Sequence, residues 1–385
     1  MRSTLDQVAP ESGIPVTAAG GRLPELDGLR GIAIGMVLLT HLFSYAMLGR
    51  RWTGIPELIR RVTIPGWLGV DLFFILSGFL ITGILLDTKT GPRYFRNFYA
   101  RRALRILPIY LIIIAILWLC YRNSGPFVVI CLLMSANLAP IFNIVVVAGG
   151  RALWSLGVEE HFYLLWPWVV KLLSRRLVAI VSGAIIVLEP AVRALSKFAV
   201  ADVYTYSWFR FDGLAWGALA AVAVRSPWLT RARALRLCAA AVAVAVALGA
   251  AGLSRGIFHR ATTLGSALQF TVPQTAFAGF VLAAVVLSGS TWTAWLKVRP
   301  LTMLGDLSYC LYLAHMPLLD LVDLVWIRAS GHTAAAAGFG AVLVRAAIGV
   351  PLCIGVALQS RKYIEMPALR LKRHFAPEKA ARTAA

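Results

Sequence analysis

The sequence predicts an all-α integral membrane protein, a polytopic bundle of about ten transmembrane helices with one re-entrant segment. Of the 385 residues, 59% are hydrophobic and 14% are charged, whereas soluble domains carry about 25% charged residues. Apolar runs of about 18 to 24 residues recur along the chain, and each is long enough to cross a hydrocarbon core of about 30 Å as a helix. The composition therefore places the protein in the lipid bilayer.

The spans follow from apolar windows read against clusters of Lys and Arg, which favour the cytoplasmic side. The predicted spans are 29–48, 66–86, 106–121, 153–172, 177–195, 209–224, 235–253, 268–288, 305–327 and 335–358. The basic linker 87–105 and a basic C-terminal segment mark the cytoplasm, so ten crossings place both termini there, in the inner membrane. The expected parts are a disordered N-terminus (1–25), a transmembrane domain (26–360) and a basic tail (361–385). The first 25 residues lack the apolar core of a signal peptide, so we expect the first span to be retained.

One apolar stretch does not fit this count. Residues 126–148 are nearly free of charge, yet a full crossing there would place Arg175 and Arg176 outside, against the charge rule. A re-entrant segment that dips in from the outer face adds no net crossing and removes the conflict.

The excess of positive charge does not indicate a nucleic-acid-binding protein. The formal net charge is +21, but no basic domain with interleaved aromatic residues lies outside the apolar segments. The five cysteines occur singly, without CxxC spacing. We therefore expect free thiols and no metal site.

Charged residues inside membrane helices are costly, so each one is a candidate functional residue. Arg30 and His41 lie eleven positions apart in the first span, which brings them onto nearly the same helix face about 16 Å apart. Arg30 could meet a phosphate at the cytoplasmic end, and His41 could act as a general base. The alternative is a packed histidine beside an arginine that extends to the interface.

Two further candidates lie in the second span, GVDLFFILSGFLIT. Asp71 could orient a histidine or bind a sugar hydroxyl, or it could be an interfacial carboxylate without a catalytic role. Ser77 is a candidate for substrate binding, although the pair Ser77-Gly78 could equally form a close helix contact.

A cluster of arginines, Arg101, Arg102 and Arg105, lies in the segment FYARRALRILP at the start of the third span. Arg101 and Arg105 are four residues apart and share a helix face. Guanidinium groups suit the phosphates of coenzyme A. Orientation of the span and pairing with anionic lipid are the alternative roles.

The segment LWSLGVEEHFYLLWPW is the richest in polar groups, with Glu159, Glu160, His161 and Tyr163. The two carboxylates lie about 100° apart around the helix, so at most one can face a given site. Depth counting places His41 and Glu160 at comparable levels. A carboxylate bonded to one imidazole nitrogen would fix the tautomer and make the other nitrogen a better base.

Two later clusters contain Arg210, Asp212 and His315. Arg210 and Asp212 in FRFDGLAWGALAA could bind substrate or neutralise each other. His315 precedes Met316-Pro317, and a hydrogen bond to the backbone opened by the proline is the alternative to a role in catalysis.

Together these segments resemble the membrane-bound acyltransferase-3 family. The resemblance covers about residues 24–320 through LDGLRGIAIGMVLLTHL, GVDLFFILSGFLIT, FYARRALRILP, LWSLGVEEHFYLLWP, FRFDGLAWG and LSYCLYLAHMPLL, and YIEMP at 363–367 extends it. Six motifs in order are specific, whereas any one alone is weak. The family's motif of an arginine, ten residues and a histidine falls on Arg30 and His41.

The resemblance implies transfer of an acyl group, usually from acyl-CoA, to a hydroxyl of a sugar in a cell-surface polysaccharide or of a macrolide. Acyl-CoA would be the donor substrate, and no tightly bound cofactor is implied. The implied catalytic residues are His41, Glu160 and Asp71, and the implied donor-binding residues are Arg30, Arg101, Arg102 and Arg105. Ser77, Tyr163, Arg210, Asp212 and His315 are then candidates for binding substrate. Many relatives carry an esterase-like domain after the last span, whereas this sequence continues for only about 27 residues past the last predicted span. If such a domain is needed for extracytoplasmic delivery, a separate transferase partner is expected to supply it.

Two other classes of function use similar residues. A proton-coupled transporter also places Asp, Glu and His inside helices, but no internal repeat is evident in the chain. A sensor that retains the site without catalysis is the second alternative. Turnover of a thioester would distinguish the enzyme from both.

Overall fold

Helices provide all of the regular secondary structure in the computed structural model, which describes residues 23–196, 200–254 and 262–375. In chain order the α-helices are α1 (Pro24–Leu39), α2 (Gly54–Thr63), α3 (Gly69–Thr88), α4 (Tyr94–Cys120), α5 (Gly125–Leu132), α6 (Trp154–Leu172), α7 (Arg175–Leu195), α8 (Val200–Thr205), α9 (Phe211–Ala223), α10 (Arg231–Ser254), α11 (Thr263–Val286), α12 (Arg299–Ser330), α13 (Ala334–Ala337), α14 (Phe339–Ser360) and α15 (Met366–Arg370). The all-α prediction is confirmed. The predicted disordered N-terminus lies, as far as residue 22, outside the described residues.

Ten of these helices coincide with the ten predicted spans: α1, α3, α4, α6, α7, α9, α10, α11, α12 and α14. Among the described residues, eight helical segments are long and apolar enough to cross a membrane. The other two spans are α9, which has only 13 residues, and α6, which carries Glu159, Glu160 and Lys171. The protein is therefore a polytopic helical membrane protein, and α6 carries its three charges within 19 residues.

The stretch 126–148 does not form one spanning helix. α5 has eight residues, or about 12 Å of helix, and two short 3₁₀ turns follow it at Ala136–Phe142 and Ala148–Gly150. The Tyr110 hydroxyl of α4 donates to the buried carbonyl of Cys131, at 2.8 Å. The segment thus packs back onto α4, as expected for a stretch that adds no crossing.

Small residues allow the closest helix contacts. A Cβ atom added at Gly31 of α1 would lie 2.1 Å from the carbonyl oxygen of Leu301 in α12, and one at Gly78 of α3 would lie 1.9 Å from that of Leu214 in α9. Such close backbone approach is typical of helix packing in membranes. These two helix pairs fix α1 and α3, the helices that carry the first candidate residues.

α1 ends in a π-helical turn, Thr40–Ser44, which contains His41. The Oγ1 atom of Thr40 donates to the carbonyl of Thr63, at 2.7 Å, and the Oγ atom of Ser44 donates to that of Arg60, at 3.0 Å. Both acceptors belong to α2, so α2 holds the wide turn in place. π-Helical turns inside membrane helices are frequent at functional sites.

The helical chain continues past the predicted end of the transmembrane domain at residue 360. A π-helical turn at Arg361–Glu365 leads into α15, and a 3₁₀ turn at Leu371–Phe375 ends the described part. This extension packs against α4. The predicted basic tail is therefore helical as far as Phe375, and residues 376–385 lie outside the described residues.

Candidate active site

Two cavities meet in the centre of the bundle. The arginine cavity has a volume of about 90 Å³ and is lined by α1, α3, α4, α6 and α12, and the histidine cavity measures about 470 Å³. Val70 and Tyr312 line both. The Tyr312 hydroxyl lies 2.6 Å from the Oγ atom of Ser155 and donates to the carbonyl of Ala152, at 3.2 Å. A hydrogen-bonded tyrosine thus forms the wall between the cavities.

Arg30, Arg102 and Arg105 line the arginine cavity. The Arg102 guanidinium lies over the rings of Phe98 and Tyr163, at 5.8 and 5.5 Å. Within the described residues, no carboxylate lies within 4.0 Å of any of these three guanidinium groups. The cavity therefore holds three guanidinium groups and one carboxylate, that of Glu159, without an ion pair between them, and the excess positive charge suits an anion.

Arg101 lies elsewhere. The sequence predicts that Arg101 and Arg105 share a helix face. The pair that lines the arginine cavity is instead Arg102 and Arg105, three residues apart. Arg101 and Arg102 instead line a third cavity, the tail cavity, of about 120 Å³. Positions at both three and four residues share a helix face, so spacing alone could not choose between the pairs.

His41 lines the histidine cavity, so Arg30 and His41 open into adjacent cavities from one helix. The Nδ1 atom of His41 lies 2.8 Å from the carbonyl oxygen of Val37. Because a carbonyl can only accept, Nδ1 carries the proton and Nε2 keeps a free lone pair. The tautomer is the one that a general base needs, and the helix itself fixes it.

The expected contact of His41 with Glu160 or Asp71 is not formed. The His41 ring stacks on Tyr45, at 5.0 Å between centroids, and meets His315 edge to face at 4.9 Å. Depth counting gave the levels of these residues but not the rotation of their helices. The backbone carbonyl of Val37 occupies the position that a carboxylate was expected to take.

The carboxylate that faces the arginine cavity is Glu159. Its oxygens accept hydrogen bonds from Ser77 at 2.9 Å and from Tyr163 at 3.0 Å. Glu160 lines neither of the two central cavities, and its Oε1 atom is buried without a hydrogen-bond partner. The two carboxylates thus point in different directions, and Glu159, not Glu160, lines the arginine cavity. The catalytic role expected of Glu160 stays a prediction.

The close helix contact expected of Ser77-Gly78 is formed by Gly78, whereas substrate binding by Ser77 stays a prediction. Ser77 and Tyr163 both line the arginine cavity. Gly78 lies on the other side of α3 and forms the close contact with α9. Adjacent residues on a helix point about 100° apart, so one helix can serve both purposes.

Asp71 and Arg210 form a fully buried ion pair, at 2.8 Å. Gln274 donates to the same Asp71 oxygen, at 2.8 Å, and the Arg210 guanidinium lies 3.8 Å from the ring centroid of Phe270. Neither charged residue lines the two central cavities. Asp71 therefore joins α3 to the loop before α9 and does not orient His41.

The expected neutralisation of Asp212 by Arg210 is also wrong. Asp212 pairs with Arg193 of α7, at 2.7 Å, and Glu189 accepts from the backbone amides of Phe211 and Asp212. Sequence reasoning missed Arg193 and Glu189, although both are charged residues inside the span 177–195 and the same rule would have selected them. These pairs fix α7 against α9.

His315 is fully buried in the middle of α12. Its Nδ1 atom donates to the carbonyl oxygens of Tyr312 at 2.7 Å and Leu311 at 3.1 Å. A backbone hydrogen bond of His315 is one of the two expected alternatives. Its acceptors, however, differ from the expected one, because the carbonyl that Pro317 leaves free is that of Leu313, four residues before the proline. The ring therefore reaches His41 from a position fixed by its own helix.

The histidine cavity contains further charged residues that sequence reasoning missed. Asp320, Asp323, Arg345 and Arg151 line it. Arg345 pairs with Asp323 through two hydrogen bonds of 2.5 and 2.8 Å and donates to the carbonyl oxygens of His41 and Leu42, each at 3.4 Å. Asp320, Asp323 and Arg345 lie inside predicted spans. Because a charged side chain in a membrane helix is costly, the rule that selected the other candidates would also have selected these three.

Comparison with known proteins gives one family. A family model described as an acyltransferase domain matches residues 23–357. An O-acetyltransferase, OatA, of Staphylococcus aureus is 26% identical over 339 residues, which cover 80% of this chain and 52% of the relative. The chain thus spans about half the length of that relative.

Two shorter matches are to proteins named for peptidoglycan. The peptidoglycan O-acetyltransferase OatA of Listeria monocytogenes is 31% identical over 163 residues, 38% of this chain and 24% of the relative. The putative peptidoglycan O-acetyltransferase YrhL of Bacillus subtilis is 34% identical over 164 residues, 38% and 23% of the two chains. No solved structure gave a significant match.

Proposed function

Because the chain belongs to the acyltransferase-3 family, we propose that it is an O-acyltransferase that moves an acyl group from acyl-CoA to a hydroxyl of a cell-surface carbohydrate. One observation carries the proposal. Arg30 and His41, on the same helix, open into two cavities that share Val70 and Tyr312. The arginines that would bind phosphate and the imidazole that would act as the base therefore lie in neighbouring cavities.

The donor occupies the arginine cavity. The diphosphate of acyl-CoA binds Arg30, Arg102 and Arg105, none of which forms an ion pair with a carboxylate among the described residues. The pantetheine arm then enters between the helices, and the thioester reaches a gap beside Tyr312, where an acceptor hydroxyl next to His41 can attack it. Acetyl-CoA is the donor that the names of the relatives favour, since both are called O-acetyltransferases.

His41 provides the base. Its Nε2 atom takes the proton of the acceptor hydroxyl, the oxygen attacks the thioester carbonyl, and an ester forms as the carbon–sulfur bond breaks. The proton passes from the imidazolium to the leaving thiolate, which departs as free CoA. The hydrogen bond from Nδ1 to the Val37 carbonyl stabilises the imidazolium in between.

The acceptor occupies the histidine cavity, whose walls suit a sugar. Trp67, Trp154 and Tyr204 supply aromatic faces for the apolar side of a ring, and Asn137 and Asp320 supply polar groups for hydroxyls. The relatives named for peptidoglycan make a glycan of the cell wall the first acceptor to test. A macrolide hydroxyl remains the second.

The orientation in the inner membrane follows from the donor. Since CoA thioesters are cytosolic, the arginine cavity faces the cytoplasm, and both termini lie on that side. The histidine cavity then opens toward the outer face. A separate extracytoplasmic transferase could pass the acyl group on to the wall polymer.

The test is a transfer assay with protein purified in lipid nanodiscs. Radiolabelled acetyl-CoA is supplied with a panel of acceptors, including glycan fragments and a macrolide, and labelled ester and free CoA are both measured. The expected result is acceptor-dependent release of CoA, reduced at least about 100-fold in His41→Ala. His332→Ala, an exposed histidine between α12 and α13, is the matched control. Full transfer by the folded His41→Ala variant would refute the role of the base, and the absence of any thioester turnover by the wild type would refute the enzyme.

A further inference from the structure

The tail cavity lies between the helical C-terminal extension and the start of α4. Its lining includes Phe98, Arg101 and Arg102 of α4 and Lys372 of the extension. Phe375, at the end of the extension, lies against the guanidinium of Arg96, at 5.7 Å from the ring centroid. This contact holds the extension against α4. Lys372 of the extension forms part of the cavity wall.

The charges around this cavity have the same sign. Lys372 is half-buried, and its ammonium feels electrostatic repulsion from Arg30, Arg101, Arg102 and Arg105. Within the described residues, no carboxylate lies within ion-pairing distance of Lys372 or Arg101. A lysine held among arginines without a counter-ion is unfavourable on its own, and an anion between them would remove the cost.

The tail cavity and the arginine cavity are neighbours. Arg102 lines both, so an anion in one and an anion in the other would share a single guanidinium. CoA carries two separated phosphate groups, a diphosphate that leads to the pantetheine arm and a phosphate monoester on the ribose. The geometry matches that division, with Arg30 and Arg105 on one side of Arg102 and Lys372 on the other.

We propose that the tail cavity is a second anion site that binds the ribose phosphate monoester of the donor between Lys372 and Arg101, with the C-terminal extension 361–375 as the element that completes it. This inference rests on the proposed function, since it assigns a subsite of the same donor. Lys372 is a specificity residue that reads the phosphate and does not take part in acyl transfer. A phosphate of an anionic lipid head group has the same chemistry and is the competing source.

The test compares two donors, acetyl-CoA and acetyl-3′-dephospho-CoA, with wild-type protein, Lys372→Ala and Lys372→Arg. Each is measured in nanodiscs of phosphatidylcholine alone and in nanodiscs that also contain phosphatidylglycerol. The expected result is a KM for acetyl-CoA raised roughly 10- to 100-fold in Lys372→Ala, recovery in Lys372→Arg, and little change for the dephospho donor. Arg373→Ala, which removes an exposed charge from the next position, is the matched control and should leave both KM values unchanged.

The other outcomes separate the explanations. An equal rise in KM for both donors would overturn the assignment, because Lys372 would not then read the monoester. A loss that appears only in nanodiscs containing phosphatidylglycerol would assign the cavity to a lipid head group and overturn it as well. If wild-type protein turns over acetyl-CoA and Lys372→Ala is unaffected, this inference alone fails. Wild-type protein that neither binds CoA nor turns over its thioester would instead refute the proposed function.

Discussion

The imidazole rings of His41 and His315 meet edge to face, with centroids 4.9 Å apart and planes inclined by 66°. Each ring donates its Nδ1 proton to a carbonyl of its own helix. Both Nε2 atoms are therefore acceptors, and two acceptors cannot form a hydrogen bond with each other. His315 thus supports the His41 ring by contact and does not share a proton with it.

Replacing His315 should separate packing from proton transfer. His315→Ala removes the ring against which His41 rests, and we expect kcat to fall roughly 10- to 100-fold as the base loses its position. His315→Phe keeps an aromatic ring in place and should retain most of the activity. Steady-state transfer rates of the two variants, with folding checked by thermal unfolding in detergent, provide the measurement.

Equal loss of activity in the two variants would contradict this role. If His315→Phe were as inactive as His315→Ala while both remained folded, the Nε2 lone pair of His315 would be needed for the reaction. His332→Ala serves again as the control for loss of an imidazole.

Glu159 and Glu160 should differ in their effects although they are neighbours. Glu159→Gln weakens the hydrogen bonds from Ser77 and Tyr163 that shape the arginine cavity, and we expect kcat/KM for the donor to fall roughly 10- to 100-fold. Glu160→Gln lies outside that cavity and should cost much less. Ser77→Ala tests one of the two hydrogen bonds alone, and donor titrations at saturating acceptor measure all three variants.

Equal losses in the two glutamine variants would show that exposure to the cavity does not decide their roles. A larger loss in Glu160→Gln would restore the assignment that the sequence first favoured.

The sequence could not decide which of these two glutamates faces the cavity. Ten helices and their approximate positions could be predicted, because apolar length and the positions of Lys and Arg depend on each segment by itself. The bounds were less accurate, since α4 begins at Tyr94 and not at residue 106. The rotation of each helix depends on its neighbours. The same depth count that placed His41 and Glu160 at one level could not say that Glu159 faces the cavity.

The partners of the buried charges show the same limit. The cost of a charge in lipid identified Asp71, Arg210 and Asp212 as important. The ion pairs form between separate elements, however: Arg210 pairs with Asp71, and Asp212 pairs with Arg193. Proximity in the sequence favoured a pair of Arg210 with Asp212. The π-helical turn that carries His41 also has no sequence signal of its own, and it requires the contacts of α2 to form.

The ion pair of Arg345 with Asp323 should control the position of His41. Arg345 donates to the His41 and Leu42 carbonyls, which belong to the π-helical turn. In Arg345→Ala these contacts are lost, and we expect kcat to fall roughly 10- to 100-fold with little change in the KM for the donor, whose cavity is separate.

The charge-reversed double variant Asp323→Arg/Arg345→Asp distinguishes position from stability. It restores an ion pair between α12 and α14, so thermal stability should recover, but an aspartate at 345 cannot donate to the two carbonyls and kcat should stay low. Recovery of kcat together with stability would show that the pair acts only by holding the helices. Arg328→Ala, at the end of α12, is the control.

Tyr312 should keep water away from the thioester. Its side chain lines both central cavities and is held by Ser155 and the Ala152 carbonyl. In Tyr312→Ala the wall between the cavities is removed, so water from the larger histidine cavity can reach the donor. We expect acceptor-independent hydrolysis of acetyl-CoA to rise while transfer to the acceptor falls, because excluding water protects reactive intermediates and substrates.

The conservative variant makes this prediction specific. Tyr312→Phe keeps the ring and loses only the hydroxyl, so hydrolysis should stay near the wild-type rate. Free CoA and labelled ester are measured in parallel, with and without acceptor. The ratio of free CoA to labelled ester separates hydrolysis from transfer. If Tyr312→Ala lost transfer without any gain in hydrolysis, the tyrosine would be contributing its hydroxyl or its packing to the reaction, and it would not be the side chain that keeps water from the thioester.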